Sequence, residues 1–75
     1  MILYIKRGCP WCIDAEEWLR HRGVAYQAVD VLTDREAFAK MKELSWQTKA
    51  PVLVTAEGRV LADFGTEQLP KFLGV

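Results

Sequence analysis

The chain holds two cysteines, Cys9 and Cys12, set three positions apart in Cys-Pro-Trp-Cys. That pair limits how 75 residues can be held together. Domains of this size commonly lean on disulfides or a metal. A disulfide stabilises more when it closes a longer loop, and a bridge from Cys9 to Cys12 closes almost none. A structural zinc takes four ligands, yet His21 is the only histidine and there is no second cysteine pair. Two alternatives remain open: two reduced cysteines that merely fill space, or a metal completed by a second chain or an outside thiol. The favoured reading is a reversible dithiol, which is how Cys-x-x-Cys is interpreted beside a βαβ pattern.

The length allows one domain, residues 1–75. Half the residues are apolar, at 51%, which argues against a disordered tail. Ten Lys and Arg balance ten Asp and Glu. A nucleic-acid partner bound through a basic surface would call for a positive excess, so none is expected. No apolar run reaches the roughly 18–20 residues that span a bilayer, so no membrane partner is expected. Met1 runs directly into Ile2-Leu3-Tyr4-Ile5, without the basic-then-apolar order of a secretory signal. The expected location is the reducing cytoplasm, and the expected state is a monomer.

Hydrophobic patterning gives a β-α-β-α-β-β-α order. Ile2–Ile5 reads as a short buried strand ended by Gly8. A helix is predicted from about Pro10 to Arg22, with Ile13, Ala15, Trp18 and Leu19 as its apolar residues. Proline suits its first turn, and Gly23 its C-terminal stop. Val24–Val31 reads as a second strand. Thr33-Asp34-Arg35-Glu36 has capping-box spacing, opening a helix to about Leu44 with Ala37, Phe38, Met41 and Leu44 inward. Pro51–Val54 and Arg59–Ala62 read as strands joined at Glu57-Gly58. A last short helix starts at Gly65-Thr66, with Thr66 as N-cap and Leu69, Phe72 and Leu73 inward. Trp18 and Trp46 read as packing residues, and His21 as a solvated residue near a helix end. A βαβ unit followed by a hairpin makes an α/β architecture: a four-stranded mixed sheet with helices on both faces.

Cys-Pro-Trp-Cys thus falls where a strand ends and a helix begins. The thiolate is the nucleophile in disulfide exchange, and a helix N-terminus favours it. Unpaired N–H groups and about half a positive charge gather there, and Lys6 and Arg7 precede the motif. Cys9, the outer residue, is expected to attack, and Cys12, one turn in, to resolve the mixed disulfide. Pro10 stiffens the turn. Trp11 is expected to stand outward beside the thiol.

With these residues the chain resembles the glutaredoxins of the thioredoxin-fold superfamily, over nearly its whole length. The resemblance rests on Tyr-Ile-Lys-Arg-Gly-Cys-Pro-Trp-Cys at residues 4–12, on Gly23-Val24-Ala25-Tyr26, and on Ser45-Trp46-Gln47-Thr48-Lys49-Ala50-Pro51. It implies a thioredoxin-like fold and a thiol-disulfide oxidoreductase with glutathione as co-substrate and no tightly bound cofactor. It implies that Cys9 is the nucleophile, that Lys6 and Gln47 meet the glycine carboxylate of glutathione, and that Pro51 follows a cis bond. A cis bond there turns the backbone of Ala50 toward the thiol, where an extended substrate can pair with it. The implied partners are glutathione and a disulfide-bearing or glutathionylated protein.

The resemblance breaks at Ala62-Asp63-Phe64-Gly65-Thr66. Many glutaredoxins have a glycine pair there, followed by an Asp that holds the γ-glutamyl end of glutathione. Here the pair is gone and Thr66 stands in the acid's place. Backbone donors at Gly65 and Thr66 still suit a carboxylate. The departure moves weight toward a redoxin of the same fold that takes electrons from thioredoxin reductase and serves ribonucleotide reductase. A third reading, an iron–sulfur cluster shared by two chains, ranks lower because Pro10 follows the first cysteine.

Overall fold

The sheet is built outward from β1 (Ile2–Ile5). β1 pairs in parallel with β2 (Gln27–Asp30) on one side and antiparallel with β3 (Val52–Val54) on the other. β3 in turn pairs antiparallel with β4 (Val60–Ala62), giving the order β2-β1-β3-β4. The computed structural model describes residues 1–74. The helices are α1 (Pro10–His21), α2 (Arg35–Ser45) and α3 (Leu69–Leu73), with a 3-10 turn at Thr66–Gln68 leading into α3. Parallel strands need a crossover, which α1 supplies. The antiparallel pair β3–β4 needs only a tight turn, closed by Gly58 at φ +88, a region glycine adopts without penalty.

Side-chain alternation along the strands splits the core in two. Leu3 and Leu53 face one side and pack with Ala15 and Leu19 of α1, with Phe64 and with Leu69 of α3. Tyr4 and Val52 face the other side and pack with Met41 of α2 and with Val31. Helices therefore cover both faces, in a four-stranded mixed α/β sheet. The stop of α1 is a Schellman motif: the Val24 N–H donates to the Leu19 carbonyl at 3.0 Å and the Gly23 N–H to the Arg20 carbonyl at 3.1 Å. Gly23 sits at φ +69, which explains the glycine.

Five local expectations are corrected. The second strand is only Gln27–Asp30, because Val24 is engaged in the helix stop and the phenol of Tyr26 donates to Glu16 Oε1 at 2.8 Å. The N-cap of α2 is Asp34, whose Oδ1 accepts the Ala37 N–H at 3.1 Å. Thr33 is occupied instead in the turn after β2, its hydroxyl donating to the Asp30 carbonyl at 3.2 Å. The N-cap of the last helical segment is Gly65, and Thr66 is the first residue of the 3-10 turn. Ile13 is half exposed rather than inward. Trp46 is 92% exposed. The inward positions of α2 are filled by Ala37, Phe38, Met41 and Leu44, and Trp46 terminates the helix at φ 62 with its ring in solvent.

Asp34→Ala is expected to lower unfolding free energy by about 1 kcal/mol, the usual worth of an N-cap. Thr33→Ala, which removes a hydroxyl bonded to the Asp30 carbonyl and not to a helix N–H, is expected to change it by about 0.5 kcal/mol or less. Urea denaturation of both variants tests this; equal losses would return the cap to Thr33.

Candidate active site

β1 ends at Ile5, and the chain turns through Gly8 at φ +82 to reach α1. The Cys9 N–H donates to the Lys6 carbonyl at 3.1 Å, which closes the turn. Cys9 is the N-cap of α1. Its Sγ accepts the Cys12 N–H at 3.4 Å, and its carbonyl accepts the Ile13 N–H at 3.1 Å. Pro10 follows at the first helical position, where a missing N–H removes no helical bond. One sulfur thus both caps the helix and faces partly outward.

Cys12 lies one turn further in and is 2% exposed. Both sulfurs are free thiols. Burial pushes the Cys12 thiol up to about 12, and its hydrogen bond with Cys9 adds to the effect. The charge of Glu16, four residues on along α1, acts in the same direction. The inner thiol is therefore a protonated reserve and the outer sulfur the accessible one.

The other predicted residues fall into three groups. Trp11 and Gly65 share a groove of about 310 Å³ with Asp63, Phe64, Glu67 and Gln68. Trp11 is 61% exposed. The Ala50–Pro51 bond is cis, and the Asp63 N–H donates to the Pro51 carbonyl at 3.0 Å, which ties the groove's far wall to the proline loop. Lys6 ends the β1 side of the thiol turn, with its carbonyl engaged by Cys9. Thr66 begins the 3-10 turn, half-buried, and does not line the groove. Gln47 is turned into its own loop: its side-chain nitrogen donates to Ser45 Oγ at 3.1 Å and to the Lys49 carbonyl at 2.8 Å, and its oxygen accepts the Lys49 N–H.

Sequence reasoning missed Asp63, Phe64, Glu67 and Gln68. The break in the glycine pattern at residues 62–66 was the available signal. Asp63 adopts φ +49, a conformation asparagine and aspartate tolerate better than most residues. The Gly65 N–H donates to Gln68 Oε1 at 3.1 Å, so the 3-10 turn is closed from its own side chain.

Residues 1–60 match the glutaredoxin family model. A glutaredoxin-like 8.6 kDa protein in a rubredoxin operon of Clostridium pasteurianum is 27% identical over 71 residues, which is 95% of this chain and 93% of that protein. Among solved structures, a mutant of the thioredoxin-like protein BC3987 superposes with a TM-score of 0.88 at 31% identity, over 99% of this chain and 94% of that one. A glutaredoxin of Archaeoglobus fulgidus shares the fold at a TM-score of 0.84 and 19% identity, over 96% of this chain and 83% of its own. With its thiol pair capping and lining the first helix turn after β1, the chain belongs to the glutaredoxin family.

Proposed function

We propose that this chain is a thiol-disulfide oxidoreductase that reduces protein disulfides or glutathione mixed disulfides through Cys9 and Cys12. The carrying observation is the division of labour between the sulfurs: Cys9 accessible and hydrogen-bonded at a helix N-terminus, Cys12 buried beside it. The Cys9 thiolate attacks one sulfur of the substrate disulfide. The substrate S–S bond breaks, and the departing sulfur leaves as a thiolate that takes a proton from solvent. Cys12 then gives up its proton and attacks the Cys9 sulfur, which expels the second substrate thiol and leaves a Cys9–Cys12 disulfide. The substrate gains two electrons and the dithiol loses two. Two glutathione molecules restore the dithiol and leave as glutathione disulfide. The protein acts as a monomer with no bound cofactor, in a reducing compartment such as the cytoplasm.

A second electron donor is favoured by one observation. Where the family's glycine pair would present backbone N–H groups, Ala62 ends β4 and the Asp63 N–H is already bonded to Pro51. A site with fewer free backbone donors holds the γ-glutamyl carboxylate less well, which suits a redoxin reduced by thioredoxin reductase.

Coupled assays with glutathione plus glutathione reductase, and with thioredoxin reductase alone, decide the donor. Turnover with glutathione supports the first reading; turnover only with thioredoxin reductase replaces it.

Cys9→Ser keeps a good N-cap, so the variant is expected to fold, and its disulfide reductase activity is expected to fall to the uncatalysed level. Cys12→Ser is expected to retain turnover of a small glutathione mixed disulfide and to lose turnover of a protein disulfide. Loss of both activities in Cys12→Ser would mean that every cycle passes through the intramolecular disulfide.

The raised Cys12 value fixes a pH trend. Between the ordinary thiol value of 9.0 and about 12, the unfolded chain has released the Cys12 proton and the folded chain still holds it. Stability of the reduced protein is therefore full below pH 9 and declines as pH rises through that window. Tyr4 and Tyr26, whose phenols are also raised chiefly by burial, titrate in the same region and are common to wild type and variant. Urea denaturation from pH 8 to 11 is expected to show a steeper loss for the wild type than for Cys12→Ser.

A further inference from the structure

The groove between Trp11 and the Asp63–Gln68 stretch has a wall that no step above uses. Trp11, which forms part of it, stands two positions from Cys9 and is 61% exposed. Phe64, 3% exposed, anchors the opposite side in the core. The two ionisable residues of the lining are both carboxylates, Asp63 and Glu67, and no Lys, Arg or His lines it. Both acids are exposed, yet neither hangs on a loose segment. The Asp63 backbone is fixed by its hydrogen bond to the Pro51 carbonyl at 3.0 Å. The Glu67 carboxylate folds back over Gly65, in the space that a Cβ on residue 65 would need. Of the cations around it, Lys6 and Arg7 precede Cys9 on the β1 side of the turn, and Arg59 and Lys71 line an adjacent groove that also takes in Glu67 and Gln68.

An exposed indole beside two carboxylates is a setting for a cation. The ring face attracts ammonium and guanidinium groups, and the carboxylates add Coulomb attraction and repel a like charge. The alkyl stem of a lysine or arginine also fits an aromatic wall while its head stays in water. Resting on the oxidoreductase reading, we infer that Trp11, Asp63 and Glu67 select protein substrates that carry a lysine or arginine beside the reacting cysteine. The occupant of the groove is that flanking basic residue, held while Cys9 reaches the neighbouring sulfur. This wall determines specificity and takes no part in the exchange of electrons.

The test uses three synthetic peptides, each with one cysteine in mixed disulfide with glutathione, flanked on both sides by Lys, Gln or Glu. Pre-reduced protein in excess is mixed with each, quenched with acid, and the released peptide thiol is quantified by mass spectrometry. This single-turnover format does not depend on the electron donor. The Lys peptide is expected to react about tenfold faster than the Glu peptide at low salt, with the Gln peptide between them. The ratio is expected to shrink toward one at about 0.5 M salt, where exposed charges are screened. In Asp63→Asn/Glu67→Gln the ratio is expected to approach one at low salt. Equal rates for the three peptides with the wild type overturn the inference and leave the oxidoreductase reading intact. A ratio that survives in the double variant, or that ignores salt on the wild type, also overturns it. If none of the peptides reacts, the oxidoreductase reading itself fails and takes the inference with it.

Discussion

The N–H of Cys12 points at the sulfur of Cys9, and the rest of the site is arranged around that bond. A helix start needs an acceptor for its free N–H groups. In most helices an oxygen of Ser, Thr, Asp or Asn provides it. Here a sulfur does, so the atom that satisfies the backbone is also the atom available for disulfide exchange. The cap is stronger when the sulfur carries negative charge, since an anion at a helix N-terminus is stabilised by the dipole and by charge-assisted hydrogen bonding. The arrangement holds only if α1 cannot shift, and Ala15 and Leu19, fully buried against Leu3 and Leu53, keep it in place.

Sheet topology brings the remaining parts to the same edge. β1 and β3 are antiparallel, and so are β3 and β4. The end of β1, the beginning of β3 and the end of β4 consequently lie together. The thiol turn follows the first, the cis Ala50–Pro51 bond precedes the second, and Asp63 follows the third. The hydrogen bond from the Asp63 N–H to the Pro51 carbonyl joins two of these segments directly. No long loop is needed, which is how so short a chain assembles a site from three separate stretches.

The order of elements along the chain, the mixed sheet with helices on both faces and the place of the cysteine pair at the start of the first helix were legible in the sequence because each follows from local rules. Alternation placed Leu3 and Tyr4 on opposite faces, and spacing along α2 placed Met41 and Phe38 inward. The failures share a physical cause: competing partners of similar strength. Thr33 and Asp34 are both good caps, and the choice was made by the Asp30 turn, whose carboxylate accepts the Leu32 N–H at 2.8 Å and whose carbonyl takes the Thr33 hydroxyl. Gln47 carries a side chain suited to a ligand, but the neighbouring Ser45 and Lys49 backbone engage its amide. Trp46 reads as a packing residue from its type alone, but its position beyond Leu44 leaves it without a core to face. Such outcomes depend on geometry that periodicity does not encode.

The site divides into positions set by backbone and positions set by side chains. Gly8 at φ +82, the cap at Cys9 and the proline loop are determined by chain path, and altering any of them moves the sulfur. Asp63 and Glu67 sit on the same edge but hold nothing in the core; both are exposed, and removing their charge with Asn at 63, which suits φ +49, and Gln at 67 leaves the path of the chain largely as it is. Charge at the groove can therefore vary while the nucleophile stays where it is. In a domain of 75 residues, the exposed side chains around Cys9 can change while the core keeps its helix in place.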